Sequence, residues 1–539
     1  MSQSNGESLS DRLALVLAKI PVFVLLILFL GLSVYCMSKR LIYPFEIDPV
    51  ESDMVAHGML LSQEYTVYAA PSTAFIAQLY PPVYYLFTAA FFRLFDTFNY
   101  LIPRMISITC LAGILVLLYR IAVKEGGSKS IGLIVSGFFL SFYEIHGPCW
   151  DLARVDMLLY FLLLSGCYVL SYAQRNTVAT LGAAIILALA CYTKQTGLYY
   201  LPFIALYLFF VDKKQCFIFS SVVFVLVVSL FFLLQYTSGG WFGTYVLFNP
   251  LRYNQVVTKP LSELQFRLLF ELRDKLFPEI RYEIFYKLPI FFTIVLAYVI
   301  QKALAWTRKT KLTLWEYTIG AAVIAYFSIR PHPGSERNDF IYMTLWGCIL
   351  LGLLLIKLSE SSFNAVRNST RITVYLLLTV QLCLQIYNPK ALVPTPEDIK
   401  KGYEFISLVK NMPGEVYIPY HSLYGVMAGK KMIFNGSVYW AYQILAKERF
   451  NPADLIEKIK RKYFTVIILD DKSYFILKGE RHIIDNVKML LSSGDELSKV
   501  VEENYVIVGR VPYRTDEEFR NITGMQTRPE LILGPKTTP

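Results

Sequence analysis

The stretch YPPVYYLFTAAFFRLF, residues 80–95, decides on which side of a bilayer every later loop of this chain lies. As a helix it covers only about 24 Å at 1.5 Å per residue, and it carries Arg93 near its end. If it crosses, the basic loops that follow fall outside, although Lys and Arg are enriched in cytoplasmic loops. We therefore predict that residues 80–95 lie along the outer interface and that the later basic loops are cytoplasmic.

The composition of the chain is that of an integral membrane protein. Of its 539 residues, 55% are hydrophobic and 17% are charged, and the mean hydropathy is +0.45. We expect a polytopic α-helical membrane bundle of about 11 spans in residues 1–387, followed by an extracytoplasmic α/β domain in residues 388–539. The spans are predicted at 20–40, 105–122, 130–147, 155–173, 178–192, 198–211, 215–236, 288–302, 314–329, 339–357 and 372–387.

Other features of the composition exclude several classes of protein. The N-terminal apolar run has no small-residue cleavage site, so we expect it to remain as an anchor. The eight cysteines form no C-x-x-C pair and suit apolar packing. The formal charge of +11 is scattered between apolar spans, so we assign it to topology and expect no nucleic-acid partner.

The predicted topology places an acidic motif on the outer face. The first outer loop begins with PFEIDPVESD, residues 44–53, which contains four carboxylates. A partly desolvated Asp48 or Glu51 would serve as a general base that accepts the proton of an acceptor hydroxyl. The alternative is a solvated loop in which Asp48-Pro49 marks a helix start.

A second acidic motif, HGPCWDLARVDML, occupies residues 146–158 between two apolar runs. Asp156 lies at the mouth of a predicted span, where an ionisable group is costly unless it is paired or serves a site. We expect Asp156 to shape the active site. The alternative is that it pairs with Arg154 and favours the positive end of the helix dipole.

Basic and aromatic residues near the same face could hold a lipid-linked phosphate. Charge-assisted hydrogen bonds from Arg or Lys neutralise a departing phosphate, although each such residue could equally be snorkelling at headgroup level. The predicted phosphate-binding residues are Arg104, Arg154, Lys194, Arg330, His332 and Arg337. We also expect Tyr80 and Tyr84 to line a path for an isoprenoid tail, although an aromatic belt would explain them too.

Nucleotide and metal motifs are missing from the sequence. It contains no G-x-x-x-x-G-K-[ST], no G-x-G-x-x-G after a strand and no H-E-x-x-H. In the tail, the strand-like runs VYIPY, FTVIIL and YVIVGRVPY alternate with helical stretches. Asp470-Asp471 could mimic a metal site, but such pairs are common in turns. We expect that no cofactor or metal is required.

The order of these motifs resembles the GT-C superfamily of membrane glycosyltransferases, in particular bacterial relatives of protein O-mannosyltransferases and of the lipid A aminoarabinose transferase. The matching elements are the acidic first loop, YPPVYYLF, IPRMIS, ARVDML and CYTKQTGLYYLP, within residues 20–360. The resemblance implies a base at Asp48 or Glu51 and a second site acid at Asp156. It departs at Tyr80, where relatives of the aminoarabinose transferase have Lys, so another cation must take that role.

The sequence thus predicts an inverting glycosyltransferase that moves a monosaccharide from a polyprenyl-phosphate donor to an extracytoplasmic glycan, lipid or protein. The predicted location is a bacterial inner membrane, with the site on the periplasmic face. One alternative is a lipid-linked glycan flippase or other secondary transporter, although no internal repeat is evident. Another is an O-antigen-type polymerase or ligase, whose main site would lie in a large outer loop such as 237–287.

Overall fold

The computed structural model describes residues 9–172, 176–251, 281–306, 312–330, 336–360, 364–433, 453–477, 480–485 and 496–537. Helices dominate the first 390 residues. In chain order they are α1 (Leu9–Leu41), α2 (Pro49–Ser62), α3 (Val83–Phe95), α4 (Leu101–Lys124), α5 (Lys129–Leu140), α6 (Asp156–Tyr172), α7 (Thr177–Cys191), α8 (Tyr200–Val211), α9 (Lys213–Thr237), α10 (Pro289–Trp306), α11 (Leu314–Ile329), α12 (Ile341–Glu360) and α13 (Asn364–Cys383).

Among the described residues, four helices are long and apolar enough to cross a membrane. They are Leu13–Leu41, Leu101–Lys124, Lys213–Thr237 and Arg337–Ser359. Shorter apolar helices of 10–17 residues lie between them in the chain. The helices support an integral membrane protein, and the number of eleven spans stays a prediction. The span predicted at 130–147 is too long, because α5 ends at Leu140 and turns follow.

Two helices of the first outer loop pack tightly on each other. α2 begins at Pro49, where the side chain of Asp48 caps it. At Gly58 an added Cβ would lie 2.5 Å from a methyl group of Thr88, so the two helices approach closely. Arg93 donates to carbonyl oxygens at the end of α2 at 2.8 and 3.1 Å. The positive charge of Arg93 near the end of α3 is therefore used to bind the C-terminal carbonyl groups of α2.

α3 is too short to cross a bilayer, since its 13 residues cover about 20 Å. The start of α4 lies beside the end of α1, because Arg104 donates to the carbonyl oxygens of Arg40 and Tyr43 at 3.0 and 2.6 Å. If α3 crossed the membrane, these two helix ends would lie on opposite faces. The structure therefore agrees with an interfacial α3.

The tail forms a small α/β domain, as the alternating pattern predicted. The helices are α14 (Pro396–Asn411), α15 (Ser422–Met427), α16 (Ala453–Lys460) and α17 (Glu496–Asn504), and the strands are β1 (Glu415–Tyr417), β2 (Phe464–Leu469), β3 (Lys472–Leu477), β4 (Glu480–Asp485), β5 (Tyr505–Arg510) and β6 (Leu531–Pro535). One sheet has the order β1-β2-β6-β5, with β1 parallel to β2 and the other pairs antiparallel. β3 and β4 form a separate antiparallel pair.

An aromatic cluster joins the tail to the first outer loop. The ring of Phe45 lies 5.2 Å from Tyr403, 5.9 Å from Tyr424 and 5.2 Å from Phe519, measured between centroids, and all three pairs are edge to face. Gly402 approaches the same ring so closely that no side chain would fit there. The domain is therefore packed directly over the loop that carries the first acidic motif.

Candidate active site

Two carboxylates from different loops meet on one arginine. Asp48 is fully buried and accepts a hydrogen bond from the backbone N of Val50 at 2.9 Å. Nη2 of Arg154 lies 2.8 Å from both oxygens of Asp48 and 2.5 Å from Oε2 of Glu336. We call Asp48, Arg154 and Glu336 the arginine-bridged acid pair. Asp48 belongs to the first acidic motif of the sequence and Arg154 to the second.

The surroundings of the acid pair raise the pKa of both carboxylates. Burial raises the pKa of Asp48, although the charge of Arg154 opposes the shift. Burial also raises the pKa of Glu336 to about 7, with Arg154 opposing and the nearby Asp48 adding to the shift. The Glu336 side chain is 28% exposed, so solvent reaches one edge of the pair. A carboxylate with a pKa near 7 is suited to proton transfer at neutral pH.

Glu51, by contrast, is held in a closed set of hydrogen bonds. Arg104 donates to its two oxygens from Nε at 2.8 Å and from Nη2 at 2.7 Å, and the backbone N–H groups of Ala153 and Ile47 donate at 2.8 Å each. Burial would raise the pKa of Glu51, but Arg104 and these N–H groups hold it below its usual value. Glu51 thus joins the two acidic motifs and is a weak base.

Arg104 has no donor left for a phosphate in this arrangement. Besides Glu51, its guanidinium donates to the carbonyl oxygens of Arg40, Tyr43 and Phe45. These bonds use all of its N–H groups. The phosphate-binding role predicted for Arg104 conflicts with this geometry. The Nε of Arg154, in contrast, is buried without a hydrogen-bond partner among the described residues, so that side chain retains donor capacity.

A second polar cluster surrounds Asp156 at the start of α6. Nζ of Lys194 donates to Oδ1 of Asp156 at 2.8 Å, and Nδ2 of Asn338 donates to Oδ2 at 3.0 Å. The same Nζ lies 3.7 Å from Asp339. The close partner of Asp156 is therefore Lys194, and not the neighbouring Arg154. This arrangement places one ammonium between two carboxylates at one end of the helix bundle.

Lys194 also supplies a cation beside Tyr80, where the sequence departs from relatives that have Lys. Its Nζ lies 5.8 Å from the centroid of the Tyr80 ring and 6.0 Å from that of Tyr342. Tyr80 is partly exposed and can line a path to the site. Tyr84 is fully buried, and its hydroxyl donates to the carbonyl oxygen of Pro103 at 3.1 Å. The predicted lining role therefore conflicts with the position of Tyr84, which lies between helices.

The other predicted cations lie apart from these clusters or cannot be placed. Arg330 is buried and donates to Oε1 of Glu283 at 2.7 Å. Arg337 lies 3.9 Å from Glu144, and its side chain is partly exposed. His332 is in the segment 331–335, outside the described residues. The roles of these residues in binding phosphate stay predictions.

Three site residues in the stretch RPHPGSERND, residues 330–339, were not predicted from the sequence. Glu336, Asn338 and Asp339 contact the acid pair or the Asp156 cluster. Only the basic residues of that stretch were predicted to belong to the site. Two acids and an amide in the same short outer loop were the signal that could have identified them.

A buried histidine links the first outer loop to the tail. Nδ1 of His421 contacts Glu46, and its Nε2 lies 3.1 Å from Oδ2 of Asp470. Burial would lower the pKa of His421, but the two carboxylates raise it to about 10. Asp470 and Asp471 are engaged by protein side chains, Asp471 by Arg510 at 2.7 Å. Within the described ranges, no three His, Cys, Asp or Glu are grouped to hold a metal ion.

Helices long and apolar enough to cross a membrane, with a polar site at one end and a tail domain over it, support an integral membrane protein. Its fold is similar to that of two solved proteins, in agreement with the fold that the resemblance in the motifs implies. The oligosaccharyltransferase AglB from Archaeoglobus fulgidus, solved with an inhibitory peptide and a dolichol-phosphate, has a TM-score of 0.52 at 11% identity, over 92% of this chain and 80% of that one. ArnT from Cupriavidus metallidurans, bound to undecaprenyl phosphate, has a TM-score of 0.50 at 10% identity, over 94% and 97%.

The similarity is one of structure and hardly of sequence. No family model matches the chain, and no curated protein matches it significantly. An oligosaccharyltransferase from Archaeoglobus fulgidus in the apo form also matches, with a TM-score of 0.51 at 12% identity over 92% of this chain and 80% of that one. At such identities the comparison shows the fold alone.

Proposed function

We propose that this protein transfers a sugar from a polyprenyl-phosphate donor to an acceptor hydroxyl on the extracytoplasmic side of a membrane. The observation that carries the proposal is the arginine-bridged acid pair beside the Lys194–Asp156 cluster, at the face where the outer loops meet. Two solved proteins of this fold were bound to a dolichol-phosphate and to undecaprenyl phosphate. Those ligands correspond to the lipid-phosphate part of the donor that we propose.

Asp48 is the better candidate for the base. The acceptor hydroxyl gives its proton to the carboxylate while its oxygen forms a bond to the anomeric carbon, opposite the phosphate. The bond between that carbon and the phosphate oxygen breaks, and its electron pair leaves with the polyprenyl phosphate. The raised pKa of Asp48 makes it a stronger base than Glu51, whose four hydrogen bonds stabilise the charged form.

Lys194 and Arg154 are the candidates for neutralising the departing phosphate. Lys194 has three N–H donors and gives one to Asp156, and Arg154 keeps its buried Nε for a ligand. Both contact a carboxylate, which fixes their positions before the donor binds. The proposed donor path runs past Tyr80, whose ring lies against the Lys194 ammonium.

The proposal is tested with the full-length chain reconstituted in lipid vesicles. The donors are polyprenyl-phosphate monosaccharides and, in a parallel arm, polyprenyl-pyrophosphate oligosaccharides, with cell-envelope lipids and glycans as acceptors. We expect release of polyprenyl phosphate that depends on acceptor, is retained in EDTA, and falls about 10²-fold in Asp48→Asn. Movement of intact lipid-linked sugar across the bilayer without its cleavage would instead support a transporter. If no lipid-linked sugar is consumed or moved, the proposal is wrong.

A further inference from the structure

Part of the tail lies directly on the first acidic motif. The backbone N–H groups of Ile522 and Thr523 both donate to the carbonyl oxygen of Ile47 at 3.0 Å. We call residues 521–525 the tail loop. These bonds hold it against the turn that carries Asp48, so the tail contributes main-chain contacts at the site itself.

Side chains anchor the tail loop on both sides. Nη2 of Arg40, whose Nε pairs with Asp151 at 2.7 Å, donates to Oγ1 of Thr523 at 3.2 Å. Nδ2 of Asn521 lies 3.3 Å from Oε1 of Glu46. Arg40, Asp151, Thr523, Asn521 and Glu46 are all buried. The loop is therefore fixed by the bundle and by the first outer loop together.

Gly524 is the point of closest approach between the tail loop and the acid pair. Its φ of +68° lies in the left-handed region. A Cβ at this position would lie 2.5 Å from Oδ2 of Asp48 and 2.9 Å from Oε1 of Glu336, closer than real Cβ atoms approach. Gly524 is exposed, so this contact is at the solvent-accessible edge of the pair.

The atoms that such a Cβ would displace are the carboxylate ends, and no backbone atom is among them. A methyl group at Gly524 would therefore move Asp48 and Glu336 relative to Arg154, while the tail loop could keep its anchors. We propose that Gly524 is a positioning residue that sets the spacing of the two carboxylates, so the C-terminal domain forms one wall of the active site. This inference rests on the proposed function, which assigns the chemistry of the acid pair.

The first test compares Gly524→Ala with Gly429→Ala in the vesicle assay. Gly429 is also in the C-terminal domain and has a φ of +76°, but a Cβ there would meet nothing within 4 Å. The control thus reproduces the backbone strain without the contact. We expect kcat to fall about 10²-fold in Gly524→Ala, with the donor KM changed less, because displaced reacting groups cost turnover. Equal effects of the two substitutions would overturn the inference.

The second test needs no transferase activity. The unfolding temperature of the full-length chain is measured between pH 5 and 9, with and without Glu336→Gln. Because the folded pKa of Glu336 is raised to about 7, its stabilising contribution is full below about pH 4.5 and is lost as pH rises through 7. We expect Gly524→Ala to shift the midpoint of this difference curve, and Gly429→Ala to leave it unchanged.

The two tests separate the two proposals. If Gly524→Ala shifts the midpoint and the chain transfers no sugar, the positioning role stands and the proposed function fails. If the chain transfers sugar and neither kcat nor the midpoint responds to Gly524→Ala more than to the control, the function stands and the inference is wrong.

Discussion

Replacing Glu51 with Gln removes the charge that faces Arg104 while keeping the size of the side chain. The change leaves a fully buried guanidinium without its carboxylate, and two of the four donors to Glu51 then face an amide NH₂ group. Removing one partner of a buried ion pair costs about 3–5 kcal/mol. The remaining carbonyl acceptors of Arg104 place the expected loss near the lower value, about 3 kcal/mol.

Asp48→Asn should behave in the opposite way. Asn caps a helix about as well as Asp, so the hydrogen bond to Val50 and the start of α2 should survive. Basicity is lost, however, and turnover should fall about 10²-fold. We therefore expect Glu51→Gln mainly to lower stability and Asp48→Asn mainly to lower turnover.

The assay measures thermal unfolding of the full-length protein in nanodiscs, together with turnover per folded molecule. Glu51→Gln should unfold at a clearly lower temperature, and its folded fraction should retain most of its turnover. A Glu51→Gln protein with wild-type stability and about 10²-fold lower turnover would show that Glu51 is the base. The structural assignment of the Glu51–Arg104 pair would then be refuted.

Three further predictions concern the donor, the tail and the topology. Lys194→Ala should weaken binding of undecaprenyl phosphate about tenfold or more. As a control, Lys287 is a partly exposed lysine paired with Glu144, and Lys287→Ala should leave this affinity unchanged. Equal affinities of the two variants would show that Lys194 does not bind the phosphate. Because the pKa of His421 is raised to about 10, its stabilising contribution is full below about pH 6.5 and is lost as the pH rises toward 10. Limited proteolysis should therefore release the tail more readily as the pH is raised from about 6.5 to 10. A His421→Gln variant should lack this dependence, and a wild-type profile that is flat would contradict the assignment. In intact cells, a cysteine at Ser128 should resist an impermeant thiol reagent while one at Lys400 reacts; labelling of Ser128 would show that α3 crosses the membrane.

Much of the architecture could be predicted from the sequence by itself, although the number of spans stays a prediction. Apolar runs, loop charge and the short 80–95 segment depend on local composition, because transfer into a bilayer is decided segment by segment. The alternating pattern of the tail is local in the same way: β1, β2 and β5 overlap the predicted VYIPY, FTVIIL and YVIVGRVPY, whereas β3, β4 and β6 were not predicted. The sequence also predicted Asp48, Arg154, Asp156 and Lys194 as site residues, because a charged residue near a membrane is costly unless it is paired or has a functional role.

Only the tertiary structure decided which charge faces which. Asp48 and Glu51 are three residues apart, yet one meets Arg154 beside a partly exposed Glu336 and the other is enclosed by Arg104. Pairing across such sequence distances depends on how the helices pack, and burial then sets each carboxylate's basicity. Gly524 likewise approaches carboxylates from loops that are far away in the chain. Such a contact arises from close packing of the folded chain, and no local sequence pattern predicts it.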